Sequence, residues 1–157
     1  MPLGAFKAGL MGAAGVSTAD VVLLQSQTAD GDDNIAFTSG IDSTYVEYIF
    51  RFYKISAATD TTAITFQVDD DAGNNGYNDF AVTSSFFRVY YDEADSGDPP
   101  PAVAYWTTQD AFSSTSYIPF AGDLGSGADE SYTGEFHLFN PAGSLVKHWY
   151  SRGHVYH

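Results

Sequence analysis

The chain has 157 residues, 16% of them aromatic, no cysteine, and a formal charge of −14 from 20 Asp and Glu against 6 Lys and Arg. A single domain of this length buries roughly 70% of its unfolded surface around one core, no disulfide is available to it, and charge of this sign repels nucleic acid and anionic membrane. The chain has no apolar run of about 18 residues that would span a bilayer as a helix.

Residues 1–19, MPLGAFKAGLMGAAGVSTA, combine Lys7 with a run of small residues, but Leu10, Met11 and Val16 are too few large apolar side chains for a secretory leader. Gly4, Gly9, Gly12 and Gly15 disfavour a helix at roughly 1 kcal/mol each relative to Ala, and they permit close backbone approach to another surface. With Leu3, Phe6, Leu10 and Met11 as apolar anchors, the segment predicts an extended assembly arm over 1–19, followed by a β domain over 20–157.

From residue 20 the periodicity is that of strands broken by turns. Strands are predicted over Asp20 to Thr28 and Asn34 to Ser39, either side of the turn cluster ADGDDN. The strongest strand signal is Tyr45 to Ile55, YVEYIFRFYKI, apolar on both faces and therefore expected at the centre of a sheet or at an interface. Ala63 to Asp69 alternates, and the polar connection DDDAGNNGYND follows. Phe80 to Tyr91 reads as one long or broken strand, and the loop DEADSGDPPP excludes regular pairing after it.

Further strands are predicted over Val103 to Gln109, Ser116 to Phe120, Tyr132 to Phe139 and Leu145 to Tyr150, with a Gly-rich loop over 122–130 and a turn at NPAGS. Short strands without a long amphipathic helix predict an all-β fold, an antiparallel β-sandwich of jelly-roll-like topology, with an up-and-down barrel as the alternative.

Several constellations bear on chemistry. Asp69, Asp71 and Asp79 head an oxygen-rich cluster suited to calcium, but Gly73 stands at the third ligand position and no Glu closes the loop, so an acidic hairpin tip is the simpler reading. No other cofactor is indicated. His137, His148, His154 and His157 gather near the end of the chain as zinc or nickel ligands would. A register placing residue 137 opposite about 147 sends His137 and His148 to different faces, which favours ordinary surface or interface histidines. Glu47 and Glu135 are strand carboxylates of the kind glycosidases pair across a cleft, with Arg51 and Lys147 as simpler ionic partners. Trp106 and Trp149 are candidates for stacking on sugars, in which case the chain is a host-receptor or carbohydrate-binding module; the simpler alternative is that they fill the core and interfaces.

The stretches MPLGAFKAGLMGAAGVSTADVVLL, GIDSTYVEYIFRFYKISAATDTTAITFQV, FFRVYYDEADSG and FHLFNPAGSLVKHWYSR together resemble small virion structural proteins of marine tailed bacteriophages, including cyanophages. The resemblance runs in the same order over nearly the whole chain. It implies a non-enzymatic particle component of tail-fibre or capsid-decoration type, located in the virion. Its implied partners are copies of itself in a homotrimer or other cyclic oligomer, other virion proteins, and a host surface glycan in the receptor-binding alternative. Similar proteins continue for several strands after the segment matching VKHWYSR, whereas this chain stops at HVYH. A sandwich short of those strands is expected to leave a sheet edge open for a neighbour.

Overall fold

A computed structural model describes residues 21–69, 77, 80–90 and 103–156 of the chain. The chain divides into two units, Met1–Gly40 and Ile41–His157. Residues 1–19, with the anchors Leu3, Phe6, Leu10 and Met11, lie outside the described residues.

The described part of the first unit, 21–40, contains no strand, contrary to the two strands its composition predicts. Side chains bridge its two legs instead of a backbone ladder. Gln25 Nε2 donates to Ser39 O at 2.8 Å, and Gln27 Nε2 donates to Ala36 O at 2.8 Å. The turn between them falls where expected, with Gly31 at φ 77 and Asp30 N donating to Asp32 Oδ2.

The second unit is all-β. Its strands are β1 (Glu47–Ile55), β2 (Thr62–Phe66), β3 (Val82–Ser84), β4 (Phe87–Val89), β5 (Val103–Tyr105), β6 (Ala111–Ser114), β7 (Ile118–Leu124), β8 (Ser131–Phe139) and β9 (His148–Tyr156). They form one three-stranded sheet in the order β1-β8-β9 and the pairs β2-β7, β3-β6 and β4-β5. All these pairings are antiparallel. The only helical turn among the described residues is the 3-10 segment Thr107–Gln109.

Three strand expectations are corrected. Of the two placements expected for the aromatic strand β1, the central one is overturned: among the described residues β1 lies at an edge of the sheet and β8 holds its centre, because β8 carries the nearly continuous run of buried residues Phe136, His137 and Leu138. The strand predicted at 116–120 runs on through Gly122 to Leu124. The last strand begins at His148, since the connection after β8 takes in Leu145 and Val146 as well as the turn at Asn140. Lys147 Nζ donates to the Gly143 and Leu145 carbonyls and closes that connection.

The core lies between the β1-β8-β9 sheet and the β2-β7 pair. Phe120, Ala121, Leu124 and Tyr132 form its buried centre, flanked by Phe52, Ile55, Ile64, Phe66 and Val155. Phe120 contacts Phe52, Phe66, Tyr132 and Phe136 at centroid separations of 5.1 to 6.2 Å, within the range where aromatic pairs attract. Pro119, which has no N–H to donate, sits in the irregular stretch of the β2-β7 ladder beside the Ile64/Thr65 register shift.

Candidate functional site

Register decides which side chains meet. Across the three-stranded sheet run the rows Arg51–Glu135–Arg152, Ile49–His137–Tyr150 and Glu47–Phe139–His148, and Thr133 pairs with His154. Cross-strand partners share a face, so these side chains lie opposite the core-facing Phe50, Phe52, Tyr132, Phe136 and Trp149. The inner face of the sheet is largely apolar, and the outer face carries Glu47, Arg51, Glu135, His137, His148, Arg152 and His154.

His137 sits at the centre of that outer face and is only 7% exposed. Its Nδ1 is 2.7 Å from Glu47 Oε1, and its Nε2 is 3.2 Å from Glu135 Oε1. Tyr150 stacks on the ring, with centroids 4.4 Å apart and planes 12° from parallel. Arg152 Nε donates to Glu135 Oε1 at 2.6 Å. A neutral imidazole has one N–H to give, whereas the imidazolium donates at both nitrogens. The hydrogen bond from Arg152, and then the His137 ring close by, hold the Glu135 carboxyl below its ordinary value of 4.5, against the opposing effect of burial.

The network ties three strands together: Glu47 comes from β1, Glu135 and His137 from β8, and Tyr150 and Arg152 from β9. Glu47 and Glu135 therefore do share a face, but an imidazole stands between them where a glycosidase needs an open cleft. Their partners are His137 and Arg152; the Arg51 side chain makes no ion pair or hydrogen bond with a described residue, and Lys147 is spent on the turn. The expectation that His137 and His148 face apart is also corrected. Phe139 pairs with His148 and His137 with Tyr150, which puts both histidines on the outer face two positions apart.

The two tryptophans occupy different places. Trp149 packs on the inner face, stacked on Phe136 at 5.5 Å and edge-on to Phe66 at 4.8 Å. Trp106 follows β5, with the Arg88 guanidinium 3.9 Å from its ring centroid and Phe86 edge-on at 5.5 Å. Arg88 also pairs with Asp123, which adopts a positive φ of 55 in β7. Each indole thus has one face already covered from within the chain. Among the described residues no group of three or more His, Asp or Glu is arranged to hold a metal ion. Asp69 is described, while Asp71 and Asp79 lie outside the described residues. No described helix is long and apolar enough to cross a membrane.

No known protein family, curated protein or solved structure matches the chain. The outer-face network therefore rests on its own geometry. Composition singled out Glu47, Glu135 and His137, but Tyr150 and Arg152 were missed as their partners. A legible signal for them was present: aligning Gly134 with Gly153 across the last hairpin sets Glu135 opposite Arg152 and His137 opposite Tyr150.

Proposed function

We propose that the chain is a non-enzymatic structural subunit of a tailed-bacteriophage particle, a tail or fibre component or a capsid decoration, assembled in several copies about a cyclic axis such as that of a trimer. In this reading the β domain is a jelly-roll-like sandwich completed by its neighbours, and residues 1–19 are the arm that grips one of them.

One observation carries the reading. Among the described residues 21 large apolar side chains are exposed, against nine apolar residues in the core. The exposed set includes Phe87, Val89, Val103 and Tyr105 on the β4-β5 pair, Phe112 at 90% exposure, and Leu145 and Val146. Phe87 and Tyr105 stack on each other at 5.1 Å with nothing buried over them. Register puts Phe87 opposite Tyr105 and Val89 opposite Val103, one exposed apolar cluster of the kind that serves association, and two-stranded pairs of this size are marginal in water without further packing. The setting is the one implied by the resemblance of the quoted stretches to phage structural proteins, and in this reading the chain's acidity keeps free subunits soluble before assembly.

The test is to locate the chain in purified particles by electron microscopy and mass spectrometry. The expected result is a stoichiometric component whose β4-β5 surface and first 16 residues contact neighbouring subunits. Deleting residues 1–16 is expected to leave a folded domain that fails to incorporate. Absence from purified particles overturns the assignment, and normal incorporation of the deletion variant removes the arm from it.

A further inference from the structure

Charge is distributed unevenly over this chain. The 27 residues of β1, β8 and β9 carry three Lys or Arg (Arg51, Lys54, Arg152) against two carboxylates (Glu47, Glu135). The remaining 130 residues hold the other three Lys or Arg against 18 Asp and Glu. The sheet is thus +1 and the rest −15, which together give the −14 of the whole.

The two carboxylates of the sheet are already engaged. Glu47 faces His137, and Glu135 is shared by His137 and Arg152. The side chains of Arg51, His148 and His154 are exposed on the same outer face and form no hydrogen bond or ion pair with a described residue, and Arg152 keeps 76% of its side chain exposed. The outer face therefore presents unspent donors around an exposed aromatic, Tyr150, on a molecule that is otherwise strongly acidic.

We propose that the outer face of the β1-β8-β9 sheet is the docking face for the acidic surface of a second copy of this chain. This inference rests on the reading of the protein as an assembling subunit and specifies one of its contacts. Charge complementarity selects the occupant: surplus donors fit an acidic surface, and the residues outside this sheet carry 18 Asp and Glu against three Lys and Arg. It also selects the geometry. Opposed to itself, the face sets Arg51 and Arg152 against a surface whose two carboxylates, Glu47 and Glu135, are already engaged, so a two-fold contact through it offers these donors no free acid. The face opposed to acidic surface elsewhere makes a head-to-tail contact, which closes into a ring when the rotation permits.

The test uses the full chain in sedimentation velocity and light scattering over a concentration series, at about 50 mM and about 500 mM NaCl, a range over which exposed charge pairs become strongly screened. The variants are the double substitution Arg51→Glu with His154→Glu, which places two carboxylates on the face, and the charge-keeping Arg51→Lys, each checked for native circular dichroism. The expected result is salt-weakened self-association of the wild type, about tenfold weaker association of the double variant at low salt, and near-wild-type behaviour of Arg51→Lys. If the double variant associates as the wild type does, this face is not the interface, while the assembly reading stands. A wild type that stays monomeric at low salt overturns both. A monomer that instead binds heparin through Arg51 overturns the second copy as occupant in favour of a foreign polyanion.

Discussion

Gly153 of β9 lies against the Tyr132 ring of β8: a Cβ placed on Gly153 stands 2.6 Å from the ring's Cζ. Its cross-strand partner Gly134 lies against the same phenol and against the Arg152 carbonyl, 2.7 Å from where its own Cβ would be. Neither glycine has a positive φ among those recorded for the described residues, so what they supply is space. Tyr132 is 1% exposed at the centre of the core, and that ring has no free volume to move into.

Gly153→Ala is therefore expected to destabilise the domain by about 1–3 kcal/mol, the usual cost of forcing a methyl group into a packed core. Urea denaturation checks it, as a lower midpoint at unchanged slope. An unchanged midpoint means that the Tyr132 ring yields without cost, contrary to this account of the two glycines.

Tyr132 also governs the alkaline limit. Its hydroxyl is buried and finds no hydrogen-bond partner among the described residues, and burial, with the nearby Glu135 charge adding, pushes its pKa from 10.0 to about 12. The folded state holds a proton that the unfolded state releases. Stability from this group is complete below pH 10 and is lost as pH rises through about 12. Tyr132→Phe is expected to remove that alkaline loss and to raise stability at neutral pH by up to about 1 kcal/mol, because an unsatisfied buried hydroxyl disappears. Thermal melts of both proteins from neutral to strongly alkaline pH decide the point, and parallel curves refute it.

Glu135 sets a limit at the other end. Its pKa is depressed chiefly by Arg152, so its contribution is present above the ordinary carboxylate value of 4.5 and is lost as pH falls through the depressed one. Arg152→Ala is expected to melt below the wild type at neutral pH, with the gap narrowing as pH drops under 4.5. A gap that stays constant down to about pH 2 would mean that Arg152 acts through packing of its stem and not through its charge.

Much of the second unit was legible because strand periodicity and burial agree there. Tyr132 to Phe139 alternates core-facing Tyr132, Phe136 and Leu138 with outer-face Thr133, Glu135 and His137, and it forms a strand as read. The stretch after Phe120 was misread as loop on account of its glycines. Gly122 is instead a strand residue whose missing side chain admits Trp106, since a Cβ there stands 2.9 Å from the indole Cζ3. Residues 21–28 have strand composition without a ladder, because a strand needs a partner and sequence composition does not supply one. The site was legible in its acids and histidine and illegible in its partners, because a register three residues off exchanges Arg152 for other candidates. Phe80 to Tyr91 breaks into β3 and β4 around Ser85 and Phe86, where Phe86 N donates to Asp110 Oδ1 at 3.0 Å in place of a ladder bond.

Phe112 separates assembly from folding most cleanly. It lies on β6, which among the described residues pairs only with the three-residue β3, and it is 90% exposed. Replacing so exposed a side chain costs a free subunit less than about 0.5 kcal/mol, whereas an aromatic anchor at the centre of an interface is worth about 2 kcal/mol or more. Phe112→Ser is thus expected to leave the urea midpoint in place while weakening self-association by about tenfold or more, measured by light scattering at matched concentrations. A loss of stability without a loss of association would give Phe112 a role within the fold. Association unchanged at every concentration would place the apolar contacts elsewhere, on the Phe87 and Tyr105 face of β4 and β5 or on Leu145 and Val146, and the same measurement on Phe87→Ser then distinguishes those two.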